Sequence, residues 1–258
     1  MHRRDFLQRS VAFAAVPLLR SDALAALARS ARIAPLHVNA TRLNGWLTGL
    51  DAIGRTAGGI NRVAYSPADL AGRTYALDIL RQSGLAPRID AIGNIHGRLD
   101  GTAAGRAPIV IGSHLDSVTD GGNFDGPVGT FAAIEVARSL HEHGIPLRHA
   151  LEVVVWQNEE GGTIGSKLAI GDLAPADLDK TARSGKTIRE GIALIGGDVN
   201  RLDSAVWKRG DVACYMELHI EQGGLLDKAG LQVGVVEGIV GLRWMEVTFT
   251  GAANHAGA

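Results

Sequence analysis

Apolar and polar positions along this chain recur with two periods, and each period predicts a different element. Between residues 39 and 53, Leu43, Trp46, Leu47 and Leu50 return every three or four positions, which predicts an amphipathic helix. Ser66-Pro67-Ala68-Asp69 reads as a second helix start: Ser as N-cap, Pro at the first helical position and an acid at the third. Leu70, Leu77 and Leu80 extend its apolar stripe to a glycine stop at Gly84. Residues 88–96 read as a strand, and Asp100-Gly101 as a turn. The apolar run at 109–111, bounded by Pro108 and Gly112, predicts a short buried strand. Phe131, Ile134, Ala137 and Leu140 return to helical spacing, so a helix is expected over 126–143, stopped by Gly144-Ile145-Pro146.

Residues 150–156 form the most strand-like run, and a further helix is expected near 187–193. A third strand is read over 212–220, and two more, richer in β-branched residues, over 234–240 and 242–250. Strands alternating with helices predict an α/β fold with a central, mostly parallel sheet flanked by helices. No internal repeat or low-complexity segment is visible, and residues 166–208 are mostly polar and name no chemistry.

The chemistry stands where the strand-like runs stop. His114 and Asp116 follow the first run, with Asp125 a few residues on; Glu159 and Glu160 follow the second; Glu217, His219 and Glu221 close the third. In an open α/β sheet, ligands bind at the carboxyl ends of the strands. Histidines mixed with carboxylates suit a divalent metal: Zn²⁺ first, with Mn²⁺ or Co²⁺ as alternatives. Two such ions about 3.5–4 Å apart would polarise a carbonyl and activate a water. Adjacent residues at a strand end point in opposite directions. One of Glu159 and Glu160 can therefore bind metal while its neighbour faces the reacting water as general base, its pKa lifted by burial and by the nearby carboxylate. Glu217 and Glu221 alternate with His219 on one face of the expected third strand, an arrangement hard to satisfy without a cation.

Composition narrows the classes. The chain has 258 residues, enough for one large domain or two smaller ones, and 26 basic residues against 27 acidic ones give a formal net charge of −1. With no long block of one sign, nothing calls for nucleic acid or an anionic membrane surface as partner. The single cysteine, Cys214, excludes an intramolecular disulfide and is expected to be buried as a small apolar residue. Arg3-Arg4-Asp5-Phe6-Leu7 precedes an apolar segment at 11–19 that is too short to span a bilayer, with small residues at 23–28 where a signal peptidase could cut. This reads as a Tat-type signal, which predicts an exported, periplasmic protein without a stable membrane anchor.

Four motifs in order carry a resemblance: Gly112-Ser113-His114-Leu115-Asp116-Ser117, Gly121-Gly122-Asn123-Phe124-Asp125-Gly126, Asn158-Glu159-Glu160-Gly161 and Glu217-Leu218-His219-Ile220-Glu221-Gln222-Gly223. Together they resemble the M20 metallohydrolases, and within them the amidase/carbamoylase branch of N-carbamoyl-L-amino-acid hydrolases, β-ureidopropionases and allantoate amidohydrolases. Asn254-His255-Ala256-Gly257 is similar to that branch's lid-domain motif. The Tat-type reading puts a signal and linker over 1–32; the resemblance implies a catalytic domain over 33–235 and the start of an inserted α+β lid and dimerisation domain over 236–258. It implies that His114, Asp125 and His219 hold one metal, with Asp125 bridging to a second that Glu160 also binds. Glu159 would be the general base, Asp116 would buttress His114, and Gln222 and His255 would touch a small ureido or carbamoyl substrate. A homodimer through the lid is implied as well. The family's remaining metal-ligating His and its carboxylate-gripping residues have no counterpart up to Ala258, so the chain reads as C-terminally truncated. Gly162-Thr163-Ile164 also departs from the Ser-Arg-Phe that usually follows Glu-Glu-Gly. The rival readings are an aminopeptidase or deacylase of the same family, and an inactive metal-binding fragment.

Overall fold

The structure is a computed structural model that describes residues 36–258 except 242, 244, 256 and 258. The expected signal segment lies outside the described residues. The chain divides into two compact units, Met1–Ile220 and Glu221–Ala258.

In the first unit the elements run α1 (Ala40–Asp51), α2 (Pro67–Gln82), β1 (Ala86–Ile89), β2 (Ile95–Leu99), β3 (Ile109–His114), α3 (Pro127–Glu142), β4 (Leu151–Trp156), α4 (Ile164–Ala169), α5 (Ile188–Leu194) and β5 (Cys214–Met216). The starts of the helices obey local chemistry. The side chain of Asn39 accepts from the Arg42 N–H, and that of Ser66 from the Asp69 N–H. Thr187 and Glu190 close a reciprocal capping box on α5. The five strands form one sheet in the order β1-β2-β4-β3-β5. Strand β3 pairs in parallel with both β4 and β5, whereas β2 runs antiparallel to β1 and β4. Four strands thus share one direction, and the mostly parallel α/β architecture expected from the sequence is the one observed.

All six residues of β4 are buried. That is why its sequence shows no polar alternation: a strand covered on both faces is largely apolar, and the one charged residue of β4, Glu152, is partnered by His96 and Arg88. Val153 and Val155 pack with Leu50, Leu80, Phe131 and Ile134 from α1, α2 and α3. Val154 and Trp156 face the other way, onto Ile164, Leu168, Ile188 and Ile192 from α4 and α5. Helices α1 and α3 are also locked by charge: buried Glu135 accepts from Arg42 Nε at 2.7 Å and from the Asn39 N–H at 2.7 Å.

Several sequence expectations are corrected. The strand read over 88–96 is two strands. Gly93, at φ +94°, donates to the Asp90 carbonyl, and the Asp90 carboxylate accepts from the Asn94 N–H, so the chain reverses there into a hairpin. The strand read over 212–220 shrinks to Cys214–Met216, because only those residues pair with β3. Cys214 lies exposed on this edge strand instead of in the core. The helix α4 was not expected.

In the second unit, α6 (Leu225–Ala229) is capped by Glu221, whose carboxylate accepts from the Leu225 and Leu226 N–H groups. The two strands read over 234–240 and 242–250 do not form among the described residues. Strand backbone needs a partner to pair with, and here Val235, Ile239 and Phe249 stand 89%, 94% and 92% exposed. No helix among the described residues is long and apolar enough to cross a membrane.

One buried charge cluster on the sheet makes stability depend on pH. His96 of β2 lies 2.8 Å from both Asp90 Oδ2 and Glu152 Oε1. Burial alone would lower its pKa, but the two carboxylates outweigh that and raise it above the ordinary 6.5. A raised folded-state value means its stabilisation is complete below the unfolded pKa and fades as pH climbs through the folded one. Urea midpoints measured from about pH 6 to about pH 9 should therefore fall faster for the native chain than for His96→Gln. Parallel curves would show that the cluster contributes nothing.

Candidate metal centre

The site is assembled from the ends of three parallel strands. Parallel pairing sets His114, the last residue of β3, opposite Trp156, the last of β4. The segments leaving the two strands, 115–117 and 157–160, therefore emerge side by side. Past the last ladder bond, Asp116 takes over: its Oδ1 accepts from the Glu159 N–H at 3.1 Å and its Oδ2 from the Glu160 N–H at 3.0 Å. One buried carboxylate thereby positions both glutamates.

The His114 ring is 2% exposed, and its Nδ1 lies 3.0 Å from the Asp116 carbonyl oxygen. A carbonyl can only accept, so Nδ1 carries the proton and Nε2 presents its lone pair. His219 repeats the arrangement, with Nδ1 2.7 Å from the Ile220 carbonyl. The Asp116 carboxylate is farther from the His114 ring, at 3.7 Å. The main-chain oxygen of Asp116, more than its side chain, sets the His114 tautomer.

Asp125 comes from the turn into α3. Gly126 follows it at φ +82°, where a Cβ would come within 2.5 Å of the His114 ring. Thr130, one turn into α3, donates its hydroxyl to the His114 carbonyl at 2.8 Å. On the β5 side, the carbonyl of Leu218 presses onto Gly129 of α3 where any Cβ would stand. Glu217 accepts from Ser113 Oγ at 2.6 Å and from the Tyr215 hydroxyl, which in turn accepts from Trp156 Nε1 at 2.8 Å. The expectation that Glu217 and Glu221 share a strand face with His219 fails, because the strand ends at Met216. Glu217 is instead a brace beneath the His219 segment.

His114, Asp125 and His219 place one ligand atom each within 4.8 Å of one another. His219 Nε2 is 3.2 Å from Asp125 Oδ1, and His114 Nε2 is 3.9 Å from the same oxygen. Ligands around a tetrahedral Zn²⁺ stand about 3.3 Å apart, so the donor set fits a borderline divalent cation. Glu159 Oε2 lies 3.7 Å from His114 Nε2. Glu160 stands outside the three-residue cluster; burial, with the nearby Asp125 and Glu159 charges, raises its pKa against the pull of His114. Burial also pushes the Asp116 carboxyl far above the ordinary carboxylate range, with Asp69 adding to the push and His114 opposing it. Gln222 and His255 belong to the second unit; there the His255 ring accepts from the Gly257 N–H.

Sequence reasoning missed the layer behind the glutamates. Tyr65 donates its hydroxyl to Gln157 Oε1 at 2.6 Å and accepts from Asn158 Nδ2 at 3.2 Å. Asn158 adjoins the acidic pair and could have been noticed; nothing local marks Tyr65, which stands over ninety positions away.

Comparison with known proteins bears on the class of the domain. Residues 94–184 match the model of Peptidase family M28. The chain is 42% identical to the N-carbamoyl-L-amino acid amidohydrolase of Geobacillus stearothermophilus over 207 residues, 78% of this chain and 51% of that protein. It is 36% identical to the allantoate amidohydrolase of Escherichia coli (strain K12), over 82% of this chain and 52% of that one. A crystal structure of a hydantoinase/carbamoylase family amidase from Burkholderia ambifaria superposes with a TM-score of 0.69 at 35% identity, covering 76% of this chain and 48% of that one. The chain carries an M28/M20-like peptidase domain. Within that class it is similar to the amidohydrolases of the hydantoinase/carbamoylase group, the branch that its M20-like motifs resemble. It spans about half the length of the curated relatives it matches.

The double hydrogen bond at Asp116 is open to a direct test. In Asp116→Asn the new amide N–H₂ would oppose one of the two loop N–H groups, leaving a buried donor unpaired at a cost of about 1–3 kcal/mol. Co²⁺ affinity, read by titration, should fall about 10–100-fold. Unchanged affinity would mean that the glutamate loop is held by other contacts.

Proposed function

We propose that the protein hydrolyses a non-peptide C–N bond in an N-carbamoyl amino acid or a related ureido compound such as allantoate. The observation that carries this reading is the convergence of His114, Asp125 and His219 beside Glu159. The names of the relatives point the same way, toward amide hydrolysis of ureido compounds.

His114, Asp125 and His219 would hold one divalent cation, with Zn²⁺ first and Mn²⁺ or Co²⁺ as alternatives. Asp125 would be shared with a second cation reached by Glu160. Such cations supply Lewis acidity toward the substrate carbonyl and acidify water. Glu159, fixed through its backbone to Asp116, takes the proton of the attacking water and hands it to the leaving nitrogen. The bond broken is the ureido C–N bond, and the carbamate released decomposes to ammonia and CO₂. Of the two histidines, His114 is buried and His219 is 43% exposed.

We also propose that the protein is exported, on the strength of Arg3-Arg4 ahead of an apolar segment, and that it acts as a homodimer, as the lid-like motif around His255 implies. The M28 match keeps an aminopeptidase or deacylase as the second reading.

A substrate panel on the complete gene product, reconstituted with Zn²⁺, Mn²⁺ or Co²⁺, separates the two. Release of ammonia and CO₂ from carbamoyl amino acids is expected; release of only a free amine and an acid from acyl amino acids or peptides supports the second reading. Glu159→Gln should lower kcat by about 10²–10⁴-fold while metal affinity is retained. A variant that keeps its rate would remove Glu159 from the proton transfer.

A further inference from the structure

We infer that Tyr65 is a positioning residue for the Glu159-Glu160 loop, acting through the side chains of Gln157 and Asn158. The inference rests on the hydrolase reading above and adds a residue that none of the four motifs contains.

Tyr65 is fully buried, yet its backbone sits at φ +66°. A bulky residue stays in the left-handed region only where its surroundings over-determine it. Three contacts do so here. The Tyr65 N–H donates to Asp69 Oδ2 at 2.8 Å, from the first turn of α2. Its ring lies flat against Gly191 of α5, where a Cβ would collide with it. Its hydroxyl donates to Gln157 Oε1 and accepts from Asn158 Nδ2.

The far end of that bridge is strained too. Asn158 has φ +48°, is 3% exposed and directly precedes Glu159. Its own backbone is committed to α4, since its carbonyl accepts from the Ile164 N–H at 3.1 Å. The glutamate pair is thus pinned twice. Asp116 holds the two N–H groups from below, and Tyr65 holds the preceding turn from the side. Only a hydroxyl that donates and accepts at once can serve both amides. Phenylalanine fills the same space and serves neither, so the turn at Asn158 is freed while the core stays filled. The consequence falls on the placement of Glu159 and Glu160. Misplacement of about 1 Å can cost as much as a hundredfold in rate.

The test uses Tyr65→Phe, Asn158→Ala and the double variant in the complete gene product. Tyr65→Phe should lower kcat about ten- to a hundredfold with KM within about twofold of wild type. The double variant should be no slower than the slower single, because both changes break one bridge. Co²⁺ affinity, followed by the metal's visible absorption, should weaken about tenfold through Glu160; this readout needs no turnover. If wild type binds Co²⁺ but hydrolyses none of the ureido panel, the hydrolase reading fails, and the affinity ratio alone judges Tyr65. A Tyr65→Phe variant with wild-type affinity, wild-type kcat and only a lower melting temperature would overturn the inference, as would singles whose effects multiply. Should Tyr65→Phe not fold, Asn158→Ala carries the same expectation with the tyrosine left in place.

Discussion

A single carboxylate accepting two backbone N–H groups is the interaction on which the site depends. The β3–β4 ladder ends at His114 and Trp156. Beyond it the chain has no regular partner, and loops leaving a sheet are free to part. Asp116 replaces the missing ladder bonds and carries the strands' parallel alignment out into the glutamate turn. A buried charge is costly without partners. Here two hydrogen bonds from the loop and the nearby cations Arg62 and Arg73 offset only part of that cost, and burial still raises the Asp116 pKa. Arg62 also ties the layers together, donating to the Leu115 carbonyl at 2.6 Å and to the Ile53 carbonyl at the end of α1 at 2.9 Å.

Around this clasp the fold divides its labour. The central strands β3 and β4 are deeply buried and hold His114 and the glutamates rigidly. The short edge strand β5 brings in His219, the most exposed of the three converging ligands. It can approach closely because Gly129 leaves room for the Leu218 carbonyl. Glu217, Ser113, Tyr215 and Trp156 then form a chain of hydrogen bonds that runs across three strands beneath the imidazole. Asp125 completes the set from the turn into α3, where Gly126 lets the backbone lie against the His114 ring. Each ligand thus arrives from a different strand end or turn. The sheet supplies the direction, and polar contacts beyond the sheet supply the aim.

Local sequence was a sound guide wherever local physics decides structure. Helical spacing, the Ser66 cap and the largely apolar run of β4 were legible because each depends on residues a few positions apart. So was the placement of His114 and Glu159 at the ends of strand-like runs, since polarity changes abruptly there, whereas His219, read inside a strand, lies past its end. Long-range partnership decided the rest. A β-branched run becomes a strand only beside a partner, so residues 212–220 kept three strand residues and the described part of 234–250 kept none. Residues 88–96 folded back because a glycine turn outweighed apolar content. Cys214 lay outside because β5 is an edge.

By itself, then, the amino-acid order determined the α/β class, the long helices and the list of residues able to bind a cation, through periodicity and side-chain type. Tertiary structure alone decided which of them meet: His114, Asp125 and His219 as a cluster, Glu217 and Tyr65 as supports, and Asp116 as the link between two strand ends. Contacts spanning forty to more than a hundred positions arise from register and packing, and no local pattern of residues encodes their distances.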